Sequence, residues 1–203
     1  MGITERRERE REEVRRKILD AARDLFATEG YANVTMRKIA EAIEYSPTTI
    51  YAHFEDKDDL VEALCHEDFA RLLAVFDGQP APPDPLDRIR MLGHGYALFA
   101  RQNPNHYRFM FMTPGKFEQP HELSDPGQES FKRLLAVVED AQAKGLLRPV
   151  DPMVISQVLW ASLHGAVSLL VTYKPEQFPC AAPPADFVDQ TCENALRGFL
   201  ARP

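Results

Sequence analysis

The chain has 203 residues, 44% of them hydrophobic and 27% charged, enough for one or two domains with a real core, which excludes a disordered, collagen-like or disulfide-scaffold protein. Its net charge of −7 is unevenly spread, with −1 over residues 1–57 and −6 over residues 58–203, so any nucleic-acid contact belongs to the first part. Three widely spaced cysteines (Cys65, Cys180 and Cys192) match neither a disulfide framework nor a zinc site and point to a reducing, cytoplasmic setting.

The charged run Glu5–Lys17 has no apolar stretch of a secretory signal. Its pairs Glu5/Arg9, Glu12/Arg16 and Glu13/Lys17 suit a solvated helical extension. The alternative is an arm whose Arg6, Arg7 or Arg9 reaches DNA. Val14, Ile18, Ala22, Leu25 and Phe26 then follow a helical period up to a stop at Gly30. Thr35 is an N-cap for a second helix carrying Met36, Ile39, Ala40 and Ile43, and Ser46-Pro47 opens a third with Ile50 and Phe54 one turn apart.

A fourth helix is expected over Lys57–Asp77, with Cys65, Phe69, Leu72 and Phe76 on one face, ended by Gly78 and the prolines of 80–85. A fifth runs from about Leu86 to Gln102, and a sixth, short and aromatic, starts at Pro104. Residues 113–127 read as a loop. The seventh carries Phe131, Leu134, Leu135 and Val138 and stops at Gly145. The stretch between Asp151 and Lys174 holds no charge and is long enough to cross a bilayer. Ser156, Gln157, Ser162, His164 and Ser168 punctuate it, so it reads as a helix buried by the fold or by a partner, with no membrane involved. A proline-rich loop over 175–184 precedes a last helix marked by Val188, Cys192, Ala195 and Phe199. No strand alternation appears, and the fold class is all-α: a three-helix N-terminal domain and a helical domain of about six helices.

The segment Thr35–Leu60 carries the most information. Two short helices flank a tight turn, and the second is rich in small and hydroxylated residues, the outline of a helix-turn-helix. Pro47, Thr48, Thr49 and Ala52 are slim enough for a major groove about 12 Å wide. Thr35 and Ser46 stand at helix starts that can meet phosphate, Arg37 lies in the first of the two helices, and Tyr51, His53 and Lys57 can donate to the DNA backbone.

The run Ile39-Ala40, Ser46, Thr49-Ile50-Tyr51-Ala52-His53-Phe54, Lys57 and Leu60 resembles the motif of TetR/AcrR-type bacterial transcription regulators. Ala21-Ala22, Leu25-Phe26, Gly30-Tyr31 and Val34-Thr35 are similar to that family's first helix and its exit. The resemblance covers about residues 10–65. The family places Gly in the turn where this chain has Glu44. Asn103-Pro104, His106-Tyr107-Arg108, Met110-Phe111 and Trp160-Ala161-Ser162-Leu163-His164-Gly165 resemble the branch named for its Trp-His-Gly (WHG) pattern.

The resemblance implies a DNA-binding domain over residues 1–56 and an effector-binding and dimerisation domain over residues 57–203. Its partners would be a palindromic double-stranded operator, a small-molecule effector and a second copy of the chain held through the last two helices. Trp160 and His164 lie one helical turn apart. With Phe69, Phe99, Tyr107 and Met110 they read either as core or as walls of an effector site. The six histidines show no metal spacing, and no nucleophile elbow, dinucleotide loop, P-loop or zincin motif occurs. The expectation is a regulator without cofactor, metal or enzymatic activity. A helical interaction adaptor that has lost DNA binding is the alternative.

Overall fold

The computed structural model describes residues 2–78, 80–113, 125–174, 176–178 and 183–201. Among them are nine α-helices: α1 (Ile3–Glu29), α2 (Met36–Ala42), α3 (Pro47–Tyr51), α4 (Lys57–Asp77), α5 (Pro85–Gln102), α6 (Pro104–Met112), α7 (Asp125–Ala143), α8 (Pro152–Thr172) and α9 (Pro184–Arg197). The only strand-like pairing among the described residues is an isolated antiparallel bridge between Leu147 and Leu200. The all-α expectation holds.

The chain forms two compact units. The first comprises Met1–Asp68 and Asn105–Ser124, and the second Phe69–Pro104 and Asp125–Pro203. The first unit therefore runs past residue 56 and takes in most of α6. Its core joins Ile18, Leu19, Ala22 and Phe26 of α1 to Met36, Ile39 and Ala40 of α2. Ile50, Phe54, Leu60, Leu64 and, from α6, Phe109 complete it. Phe109 stacks on Phe26 at 5.6 Å between ring centroids.

Helix ends follow local chemistry. Thr35 Oγ1 accepts the Lys38 N–H at 3.2 Å and Ser46 Oγ accepts the Thr49 N–H at 3.3 Å, so both expected N-caps form. α7 ends at Gly145, which sits at φ 71, as its position predicts. Pro126 and Gly127, read from sequence as loop, lie instead in the first turn of α7, where a proline has no N–H to lose. The rest of that expected loop (114–124), and Cys180, lie outside the described residues.

In the second unit α8 packs against α5, α7 and α9. Ile155, Leu159, Leu196, Ile89 and Val138 form part of the core there. A Cβ at Gly93 of α5 would come within 2.9 Å of Cys192 Sγ on α9, so the missing side chain permits that close approach. α8 is long and apolar enough to cross a membrane by length and composition. Ile155, Ser156, Leu159, Leu163, Ala166 and Val167 are its buried side, while Met153, Val154, Val158 and Trp160 are exposed.

Candidate nucleic-acid interface

The site begins with the turn between α2 and α3. Glu44 occupies the left-handed region at φ 60. Its N–H donates to Glu41 O at 3.2 Å and the Tyr45 N–H donates to Ala40 O at 2.9 Å. These are the two bonds of a Schellman C-cap, in which the residue standing where Glu44 stands is commonly Gly. The turn keeps its geometry without the glycine and bears the backbone strain of a bulky residue there.

That turn aims α3. Ile50 and Phe54 are buried behind it, while Ser46, Pro47, Thr48 and Ala52 are exposed and Tyr51 is 55% exposed. Thr49 is half-buried and its Oγ1 lies 3.0 Å from Ser46 Oγ. Arg37 is exposed on α2, and its Nε donates to Glu41 Oε1 at 2.9 Å. Thr35, Ser46, Pro47, Thr48, Thr49 and Tyr51 thus sit together around α2 and α3 as the sequence suggests.

Lys57 is differently engaged. Its ammonium donates to the Tyr31 carbonyl and lies 3.6 Å from the Tyr31 ring centroid, while Tyr31 Oη donates to Asp58 Oδ1 at 2.8 Å. Asp56 Oδ1 accepts the Asp58 and Asp59 N–H groups at 2.8 and 2.9 Å. The start of α4 is thereby fastened to the short 3₁₀ turn Tyr31–Asn33, an element that sequence reading missed.

His53 is half-buried. Burial holds its imidazole below the ordinary value, Arg11 and Arg15 push the same way, and Glu12 opposes them. Arg15 lies over the Phe54 ring at 4.5 Å and Lys17 over the Tyr45 ring at 5.9 Å. Cationic side chains of α1 therefore border the end of α3. Reading the run Glu5–Lys17 as paired charges hid them. The signal was the spacing of four between Arg11 and Arg15, in phase with buried Ile18 and Ala22.

The residues expected at an effector site fall in both units. Tyr107 and Met110 are buried in the first, with Tyr107 5.2 Å from Phe111 between ring centroids. In the second, Phe69 and Phe99 are buried, and Trp160 lies 5.4 Å from His164, ring to ring. His164 Nδ1 is 2.9 Å from Tyr96 Oη, a partner the sequence did not suggest, and burial holds the His164 imidazole below its ordinary value. A groove of about 320 Å³ between α5 and α9 is lined by other residues, among them His94, Leu98, Arg101, Val188 and Asp189.

Comparison with known proteins agrees with this geometry. Residues 18–64 match the family model "Bacterial regulatory proteins, tetR family", and residues 89–195 match "Tetracyclin repressor-like, C-terminal domain". An HTH-type transcriptional repressor of Mycobacterium tuberculosis is 49% identical over 61 residues, 30% of this chain and 33% of that protein. The chain thus spans about a third of the length of the curated relatives it first matches. A protein of unknown function from Rhodococcus sp. RHA1 superposes with a TM-score of 0.72 at 26% identity, covering 93% of this chain and 95% of that one. A tetR-family transcription regulator of Shewanella sp. PV-4 shares the fold at TM-score 0.74 and 17% identity, over 93% of this chain and 98% of that one. With both of its compact units represented in the matched segments, the chain belongs to the TetR family of bacterial regulatory proteins.

Proposed function

We propose that the protein is a cytoplasmic, ligand-responsive transcriptional repressor that binds a palindromic operator as a homodimer. One observation carries the DNA-binding reading. α3 presents Pro47, Thr48, Tyr51 and Ala52 outward while Ile50 and Phe54 anchor it from behind. A rod of small and hydroxylated residues, propped by a preceding helix, fits a major groove. Glu44 completes the Schellman bonds of the turn and leaves α3 outward.

The exposed strip of α8 supports the dimer. Val154, Val158, Ala161 and Gly165 follow one another at helical spacing on its open side, and a Cβ at Gly165 would meet nothing within 4 Å. A second copy laid on α8 and α9 would cover that strip and set two α3 helices for half-sites about 34–36 Å apart, or a multiple of it. In this reading residues 1–56 hold the DNA contacts, and residues 57–203 hold the effector and the dimer contact.

The Trp160–His164–Tyr96 group supports an effector site of the WHG type in the second unit, where an aromatic wall stands beside a polar pair. α4 belongs to both units and would carry the response. An effector releases the operator only by binding the released state better than the DNA-bound state. The test is selection of duplexes from a randomised pool by the purified protein. A palindromic consensus bound by two chains supports the reading, and recovery of no enriched duplex overturns it.

A further inference from the structure

The face of α1 that packs in the first unit changes chemistry towards its N-terminus. Arg7, Arg11 and Arg15 recur every four residues, and Ile18 and Ala22 continue the same face at spacings of three and four. Ile18 and Ala22 are fully buried, Arg15 is half-buried over Phe54, and Arg7 and Arg11 are exposed. Neither Arg7 nor Arg11 forms an ion pair among the described residues. Two carboxylates of the run are already occupied: Glu10 accepts from Arg6 at 2.7 Å and Glu5 accepts the Gly2 N–H at 2.9 Å. An apolar seam thus gives way to a cationic one where α1 passes the end of α3.

We propose that Arg7 and Arg11 bind the phosphodiester backbone of the operator outside the base pairs read by α3, so that α1 lengthens the footprint on each flank. The proposal rests on the DNA-binding reading above. From Arg7 to Arg15 the helix rises about 12 Å, over which one strand of a duplex presents about three phosphates. Such contacts carry charge without sequence information, so they fix register and strengthen binding to any flanking sequence. The partner is anionic backbone, which a guanidinium engages through paired donors.

The experiment measures salt dependence with two duplexes recovered by wild-type selection, one with ten flanking base pairs on each side and one trimmed to the palindrome. On the long duplex, R7A/R11A removes four phosphate contacts per dimer. The slope of log affinity against log salt then falls by about 3–4, with at least a roughly tenfold loss of affinity at low salt. R7K/R11K keeps most of the slope. On the trimmed duplex R7A/R11A and wild type bind alike. Equal slopes for wild type and R7A/R11A on the long duplex overturn the proposal while leaving the DNA-binding reading intact, and so does an equal loss on both duplexes. A wild-type protein that selects no duplex overturns both.

Discussion

Arg23 Nε donates to both carboxylate oxygens of Asp68, at 3.0 and 3.1 Å, with both side chains shut away from water. Asp68 Oδ1 also lies 2.8 Å from His106 Nδ1 on α6, and Arg23 Nη1 donates to Asp20 at 2.7 Å. One carboxylate thereby joins α1, α4 and α6. Removing it leaves the buried guanidinium with only the more exposed carboxylates of Asp20 and Glu67 as counter-charges, so Asp68→Ala is expected to lower stability by about 3–5 kcal/mol. The double change Arg23→Met with Asp68→Leu removes both charges and costs far less. Urea unfolding midpoints decide this, and a loss under about 1 kcal/mol for Asp68→Ala would show the pair to be dispensable.

Glu44 holds a left-handed backbone where glycine is at ease. Glu44→Gly relieves a strain of about 1–2 kcal/mol against a smaller entropic cost. The expected result is a net gain of up to about 1 kcal/mol in thermal or urea unfolding. DNA affinity should stay within a few-fold, because the Schellman bonds are made by the backbone.

Thr48 and Tyr51 should separate reading from holding. Thr48→Ala is expected to relax preference at one or two base pairs, at about 1–3 kcal/mol of discrimination. On the proposed reading Tyr51 donates to the DNA backbone, so Tyr51→Ala is expected to weaken every duplex by about tenfold. Binding to a panel of single-base operator variants makes the comparison. A change of base preference with Tyr51→Ala would reverse the assignment.

Burial keeps His164 neutral to lower pH than an unfolded imidazole, whose value is 6.5. Above pH 6.5 both states are neutral and this contribution is fully present. As pH falls from 6.5 towards the lowered folded value, the unfolded chain takes up the proton first, and stability declines. His164→Gln should flatten stability against pH over that window. His53, also held low, adds a second component that persists in the variant.

Gly165 discriminates a free α8 face from a covered one. If the strip faced water, Gly165→Ala would add helix propensity worth about 1 kcal/mol and leave assembly unchanged. With a second copy packed against it, Val158→Glu is expected to raise the dimer dissociation constant at least about 100-fold, and Gly165→Ala to weaken association. Sedimentation equilibrium reads both.

Legibility in the sequence followed the range of the interaction. Thr35, Ser46-Pro47 and Gly145 act within one turn of chain, and their helix ends appear where the spacing puts them. Pro126 misled because a proline breaks a helix interior yet suits its first turn, and the nearby Pro120 and Gly127 drew the whole stretch into a loop although Ser124 and Asp125 precede Pro126 as Ser46 precedes Pro47. Glu44 showed its tension only against the family pattern. Arg23, Asp68 and His106 are far apart in sequence, and nothing periodic marks three polar residues that meet in a core. The contacts of Lys57 with the Tyr31 carbonyl and ring join residues far apart in the chain, and no local spacing marks them.

The first unit is stitched from two stretches of chain, since Phe109 closes over Phe26 and His106 reaches Asp68 only after α5 has been made. A ribosome adding about 5–20 residues per second spends several seconds between completing Asp68 and delivering α6. Throughout that interval the emerging headpiece lacks Phe109 over Phe26, and the Arg23–Asp68 pair lacks its contact with His106. Completion of the first unit therefore waits for α6, so a newly born chain finishes this unit only after α5, which belongs to the second, has been synthesised.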